Sequence, residues 1–372
     1  MSSSNVTSYP DKDLAFAIGF SAIEGVLPLH IQRLRNYFST LHNAWLAPCE
    51  ELRKAGLAPK IAEWVDIKRP SIVPLRLIEI IEKEGISVVL ECDDAYPLPL
   101  RHLPDRPHLL YYRGNLPDFS QKNVLAVVGS RKASSYGRAV ISLLLPDVVK
   151  AGVEVVSGLA YGIDSLAHTQ TLNNHGITYA IIASGLDHES CYPRAHWELA
   201  CRIIETGGFI ASEFPPGTAA LPLHFPQRNR IIAGLAQVIL IIEADERSGT
   251  LITARCGLEY NKEIAAVPGA ITHPLSRGTN ALLKQGAALI QRGEDILELF
   301  SLPNPLHTRH EINHEVTQIQ HLILETLEEG MVHIDEISKR TDIVLALLHS
   351  DLLALELAGL VKNCGNMYYI KI

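Results

Sequence analysis

The sequence predicts an open α/β domain on a parallel sheet, preceded by a helical segment and followed by a winged-helix segment. Three observations predict this. Between Val124 and Phe300, apolar runs of four to six residues alternate with helical stretches, the signature of strands buried on both faces and joined by crossover helices. Each run ends in small or polar residues, as at Gly129-Ser130-Arg131 and Ser157-Gly158. From Ile319 onward the pattern changes to three helix-like stretches and a closing β-ribbon.

At 372 residues, 47% of them hydrophobic, the chain can bury more than one core, and two or three domains are expected. We read a helical domain over 1–75, an α/β domain over 76–300 with its core from about 120, a linker over 301–315 and a winged-helix domain over 316–372. No apolar run reaches the roughly 20 uncharged residues that span a bilayer, and Met1 to Tyr9 lacks a basic region followed by an apolar one. A soluble, cytoplasmic protein is expected. The six cysteines (Cys49, Cys92, Cys191, Cys201, Cys256, Cys364) form no C-x-x-C pair, so buried thiols are expected, not a zinc knuckle or a disulfide framework. A net charge of −8 excludes coating of nucleic acid through an overall basic field. The charge is uneven: residues 120–300 carry 15 Lys/Arg and 16 Asp/Glu, giving −1, while residues 305–372 carry 5 and 10, giving −5. Any nucleic-acid site is therefore local and central.

Apolar spacing of three to four predicts helices over 14–23, 27–38, 41–55 and 58–65, with Pro70 and Pro74 breaking the pattern. A helix over 75–84 and a strand over 86–91 precede a Pro-rich stretch, and a strand over 109–112 closes on Arg113-Gly114. A domain boundary is expected in 116–122. The strands of the α/β domain are 124–128, 153–157, 178–183, 209–213, 238–243 and 264–267. His310 and His314 have the spacing of a helical metal pair, but with no carboxylate or cysteine companion they read, with His307, as solvated linker. Neither metal nor cofactor is expected. The tail predicts helices over 319–327, 334–341 and 343–358. Lys339 and Arg340 are the cations of its second and third helices, so it reads as structural or protein-contacting and not as a DNA reader.

Ligands of open parallel sheets bind at the C-terminal ends of the strands. Gly129-Ser130-Arg131 leaves a strand and enters a helix starting near Ser134 or Ser135, so backbone N–H groups and the helix dipole predict an anion site. The lone glycine, and a second strand ending in Ser157, fail the dinucleotide fingerprint, and no Gly-Lys-Ser/Thr makes a P-loop. Arg131 offers a fork matched to phosphate; its plainer role is a surface salt bridge. In the loop that follows, Gly158 and Gly162 permit close approach, and Asp164 reads as a helix cap before a catalytic acid. The most informative stretch is Phe225-Pro226-Gln227-Arg228-Asn229-Arg230, at the mouth of a helix that buries Ile231, Ile232 and Leu235. Arginines for phosphates and an aromatic for a stacked base hold an unpaired strand. The plainer alternative pairs Arg228 and Arg230 with Glu213 and Glu243. Ser248-Gly249-Thr250 opens another helix with hydroxyls that cap or bind phosphate, and Lys262 and Asn280 lie near the next loop.

Together these motifs resemble the DNA-processing protein A family (DprA, also called Smf). The similarity runs in order through 109–116, 128–131, 157–164, 225–235, 248–254, 266–269 and 278–280, spanning about two thirds of the chain. The flanks are similar to the family's helical, SAM-like N-terminal domain and its winged-helix C-terminal domain. The resemblance implies a Rossmann-like domain that binds single-stranded DNA, protects it and loads the recombinase RecA onto it during natural transformation. It also implies a homodimer formed through the late part of that domain, near Gly278 to Ile296. Carried onto this chain, the DNA contacts are Ser130, Arg131, Phe225, Arg228 to Arg230 and Ser248 to Thr250. Gly129, Ser157, Gly158, Gln227, Lys262 and Asn280 join them from the loops. Two positions depart from the pattern. Glu24-Gly25-Val26 keeps one glycine where relatives carry Gly-x-Gly, and Gly257 stands inside a helix where alanine is usual. Such a glycine costs about 1 kcal/mol in an exposed helix, or else marks close packing.

Two rivals differ in class. Phosphoribohydrolase-type enzymes bind phosphates at the same sheet edge but carry Gly-Gly-x-Gly-Thr-x-x-Glu with a catalytic glutamate. Here Gly249-Thr250 leads to Thr253, a hydroxyl, so no enzyme is expected. The other rival is a protein-interaction adaptor with a vestigial cleft.

Overall fold

Val124-Leu-Ala-Val-Val128 carries no polar side chain and is buried throughout, which a strand covered on both faces satisfies. The structure, a computed structural model, describes residues 11–302, 317–328, 330–357, 360–363 and 367–371. The fold divides into two compact units, Met1–Asn304 and Pro305–Ile372. The first is built on strands β1 (Ser87–Leu90), β2 (Leu109–Gly114), β3 (Val124–Val128), β4 (Glu154–Ser157), β5 (Thr178–Ile181), β6 (Phe209–Ser212), β7 (Val238–Ile241), β8 (Glu263–Ala266) and β9 (Ala288–Leu289). They form one sheet in the order β1-β2-β6-β5-β4-β3-β7-β8-β9. Neighbours from β6 to β9 are parallel, while β1 and β2 pair antiparallel and β2 pairs antiparallel with β6.

This order positions the site. The chain winds outward from β3 through β4, β5 and β6, then returns past β3 to lay down β7, β8 and β9 on the other side. The loops leaving β3 and β7 therefore part over opposite faces and open a crevice at the strands' C-terminal ends. Alternation along β3 serves both faces. Leu125 and Val127 pack with Ile141, Leu144 and Val148 of the helix Ser135–Lys150, and Ala126 and Val128 with Ile231, Ile232 and Leu235 of the helix His224–Leu235.

The expected domain boundary at 116–122 is corrected: this stretch connects two strands of one sheet, because β2 pairs with β6 from Tyr111↔Ser212 to Gly114↔Phe209. Antiparallel edge strands added to a parallel sheet leave no mark in either strand's own sequence. The helix expected over 41–55 is two, Leu41–Leu46 and Cys49–Lys54, since Pro48 lacks the N–H and restrains Ala47 to extended backbone. The helices Asp11–Ser21, Pro28–Phe38 and Leu41–Leu46 bury Phe20, Ile31, Leu34 and Leu41 in a cluster that continues into Ala180, Ile182 and Ile210 of the sheet region. The two-residue β9 is too short to show a period.

The second unit, taken by itself, has helices Gln318–Thr326, Ile334–Thr341 and Leu345–Leu357, and strands β10 (Val332–His333), β11 (Val361–Asn363) and β12 (Tyr368–Lys371) in the order β10-β12-β11. Ile323, Ile337, Leu348 and Leu352 form its core. This is a winged helix. His307, His310 and His314 lie outside the described residues, and among the described residues no helix is long and apolar enough to cross a membrane.

Gly257, in the helix Thr250–Glu259, is buried against the sheet, and a Cβ there would overlap Ile239 Cδ1 and crowd Ile264 Cδ1. Close packing explains it. Gly257→Val should lower the unfolding free energy by about 1–3 kcal/mol, measured by urea denaturation; an unchanged midpoint would show that the helix can lift off the sheet at no cost.

Candidate nucleic-acid interface

The stretch 225–230 lies inside the helix His224–Leu235, not at its mouth. At about 100° per residue, Phe225, Arg228, Asn229 and Ile232 share one face, and Gln227, Arg230 and Gly234 another. The first face lines a cavity of about 430 Å³ at the crevice. Gly129 and Arg131 reach it from the loop after β3, Ala160 and Asp164 from after β4, and Ser248, Gly249 and Thr250 from after β7.

Arg131 is exposed and lays its guanidinium carbon 4.2 Å from the centre of the Phe225 ring. A smaller recess beside it is lined by Gly158, Tyr161, Tyr192 and Arg228. The Tyr192 ring stands 6.1 Å from Phe225, and Tyr161 meets His196 edge-on at 4.9 Å. Both tyrosines extend the aromatic surface and neither is expected from sequence. Tyr161 sits inside the 157–164 loop, which gave a signal; the segment holding Tyr192 carries no motif.

Arg228 is 4% exposed. Its Nη1 donates to the Ile181 carbonyl at 2.8 Å and stands 4.0 Å from the Asp164 carboxylate, while Nε has no partner. Gly158 makes the room, since a Cβ there would overlap Nη1. Burial lowers the Arg228 pKa to about 10; Asp164 opposes the shift and Arg131 adds to it. Burial also raises the Asp164 carboxyl, against the pull of Arg228 and of the Ala160 and Gly158 N–H groups. Both directions show desolvation outweighing the attraction of the pair. An anion in the cleft would supply what Asp164 does not.

Asp164 is thus not the cap expected of it: Gly162 (φ 79°) occupies the N-cap, and Asp164 lies in the helix's first turn as the counter-charge of Arg228. The anion site expected at the helix after β3 is already filled. Ser134 caps that helix through Gly137 N–H, and its own N–H and hydroxyl donate to Glu243, at 3.0 Å for the N–H. A carboxylate of the protein therefore occupies the positive end of the helix dipole. Glu243 is not an arginine partner.

Other expected contacts lie elsewhere. Arg230 donates to both oxygens of Glu213, at 2.6 and 2.5 Å, on the opposite helix face, so the salt-bridge alternative describes it and it does not line the cleft. Gln227 lines the same far side. Lys262 donates to the Gly234 carbonyl at 3.1 Å, and burial lowers its pKa. Asn280 clamps Gly269 through its backbone N–H and carbonyl. Ser157 is buried and donates to the Val127 carbonyl, while Ser130 caps the turn at Lys132 beside the cleft. At the cleft itself Ser248 Oγ accepts from Thr250 N–H, and Asn229 reaches the Gly249 carbonyl at 3.4 Å.

The two arginines should respond differently to truncation. Arg230→Ala strands buried Glu213 without its partner and should cost about 3–5 kcal/mol of stability. Arg228→Ala leaves Asp164 its backbone N–H donors and should cost less than half as much, both read by urea unfolding. Equal losses would place Arg228 among the structural ion pairs.

Residues 87–301 match the family described as DNA recombination-mediator protein A, and residues 310–366 match the DprA winged helix domain. Protein Smf of Escherichia coli is 37% identical over 295 residues, covering 77% of this chain and 78% of that protein. DNA processing protein DprA of Streptococcus pneumoniae is 42% identical over 208 residues, covering 56% of this chain and 72% of that one. The X-ray structure of DprA from Streptococcus pneumoniae superposes with a TM-score of 0.64 at 31% identity, over 76% of this chain and 97% of that one. DprA from Helicobacter pylori, solved for its single-stranded DNA binding mode, gives 0.52 at 27% identity, over 58% and 95%. Architecture, sequence and both domains agree, and this chain belongs to the DNA recombination-mediator protein A (DprA/Smf) family.

Proposed function

We propose that the cleft between β3 and β7 binds single-stranded DNA, and that the protein acts as a recombination mediator that protects such strands and loads RecA onto them during natural transformation. The observation that carries the reading is the meeting of two guanidinium groups, Arg131 and Arg228, with the Phe225 ring at one crevice. Phosphate needs the charge, and an unpaired base needs the ring. Tyr161 and Tyr192, 45% and 43% exposed, add stacking surface beside it. The solved Helicobacter pylori relative is described by its single-stranded DNA binding, which supports the same assignment here.

Binding fits the cleft better than cleavage. Thr253 lies on its floor where phosphoribohydrolases carry an acid, and Asp164, the carboxylate that lines it, is engaged by Arg228 and backbone donors. A homodimer would use the late part of the sheet, where β9 ends the strand order and Leu289 is 51% exposed.

The test is gel retardation of a labelled oligothymidylate by the full chain. Arg131→Ala and Arg228→Ala should each weaken binding about tenfold, and Phe225→Ala should remove one stacking contact of about 1–3 kcal/mol. Undiminished retardation by all three, or none by the wild type, would overturn the assignment. With binding established, the wild type should let RecA displace a single-strand coating protein, and the Arg228 variant should do so poorly.

A further inference from the structure

A second cavity, of about 550 Å³, opens on the other face of the helix His224–Leu235. Pro226 lines both this cavity and the cleft, so the two adjoin at this residue. Its lining is largely apolar, with Val26, Leu27, Leu29, Pro104 and Phe214. Leu27 and Leu29, 45% and 51% exposed, stand at its rim.

The floor is polar and incompletely satisfied. Arg230, 8% exposed, gives Nη2 to both Glu213 oxygens, yet its buried Nη1 has no partner. His108, 4% exposed, also lines the cavity, and its Nδ1 is without a partner. Burial lowers this histidine to about 4, so it is neutral. One guanidinium faces two carboxylates, since Asp105 stands 3.8 Å from Arg230 Nε as well. With no surplus positive charge, the cavity rejects phosphate. It suits a flat, uncharged heteroaromatic ring whose faces meet the apolar walls and whose edge exchanges hydrogen bonds with Glu213 and Arg230.

We propose that this cavity is a nucleobase pocket that takes one unstacked base, guanine above the others, from a strand lying in the cleft. The strand's presence rests on the DNA-binding reading; the pocket's preference does not. Guanine sets a ring N–H and an amino N–H side by side for a carboxylate, next to a carbonyl oxygen for a guanidinium N–H, and no other DNA base offers that set.

Two measurements on the full chain test this. Retardation should show an oligothymidylate with one central guanine bound about tenfold more tightly than oligothymidylate alone, the range of one bidentate base contact. Leu29→Trp, which fills the rim, and Glu213→Gln, with folding checked by thermal unfolding, should abolish that gain. Leu29→Trp should leave oligothymidylate binding within about twofold. Equilibrium dialysis should show guanosine bound by the wild type and lost in both variants. Retardation of both strands with equal affinity and no guanosine binding would overturn the pocket and leave the cleft standing. Guanosine binding lost in both variants without strand retardation would support the pocket and overturn the cleft. A guanine gain that persists in both variants also overturns the pocket.

Discussion

A guanidinium taken out of water needs a counter-charge or a ligand, and Arg228 has only part of the first. Its Nη1 holds the end of β5 through Ile181, Asp164 faces it at 4.0 Å, and Nε is unmatched. Much of the local design follows from accommodating this one side chain. Gly158 is glycine because anything larger would overlap it. Asp164 faces it from the first turn of the helix Ile163–Asn173, which follows the loop after β4. What the protein gains is a cation fixed in place at a low-dielectric floor, where its field toward the cleft is least screened.

The positive end of the helix after β3 would ordinarily compete for the same ligand. Here Glu243 satisfies that end, with Ser134 as intermediary. The site therefore relies on side-chain cations and aromatic faces, as suits a flexible polyanion more than a single pyrophosphate. A local site of this kind is also compatible with an acidic chain taking the anionic strand proposed for it. In the proposed function the attraction is local, at Arg131 and Arg228, while the charge of −8 discourages non-specific coating.

Much of the architecture was legible because buried parallel strands announce themselves. The apolar runs that became β3 to β8 are found within a few residues of their expected positions, and the tail's helix–helix–ribbon order is that of the winged helix. Pairing was not legible: nothing in Leu109–Gly114 says that it adds antiparallel to β6. At the site, the motif Phe225–Arg230 located the right helix but not its face. Arg228 and Arg230 are two residues and about 200° apart, so a helix that begins at His224 sends one to the cleft and the other to Glu213. Had the start been known, the period alone would have separated them. Asp164 and Glu243 differ from expectation for a related reason: Arg228, which faces Asp164, lies on a helix far along the chain, and Glu243 meets the helix cap Ser134, where the plainer alternative expects an arginine.

In the proposed function Arg228 contributes a phosphate contact and is not merely a buried structural charge. The slope of log binding constant against log salt concentration measures this, because each single-strand phosphate contact contributes about 0.7 to it. Oligothymidylate binding by the wild type should weaken with salt, and Arg228→Ala should make the slope shallower by about one contact's worth. An unchanged slope for the variant, or a wild type indifferent to salt, would show that Arg228 makes no phosphate contact.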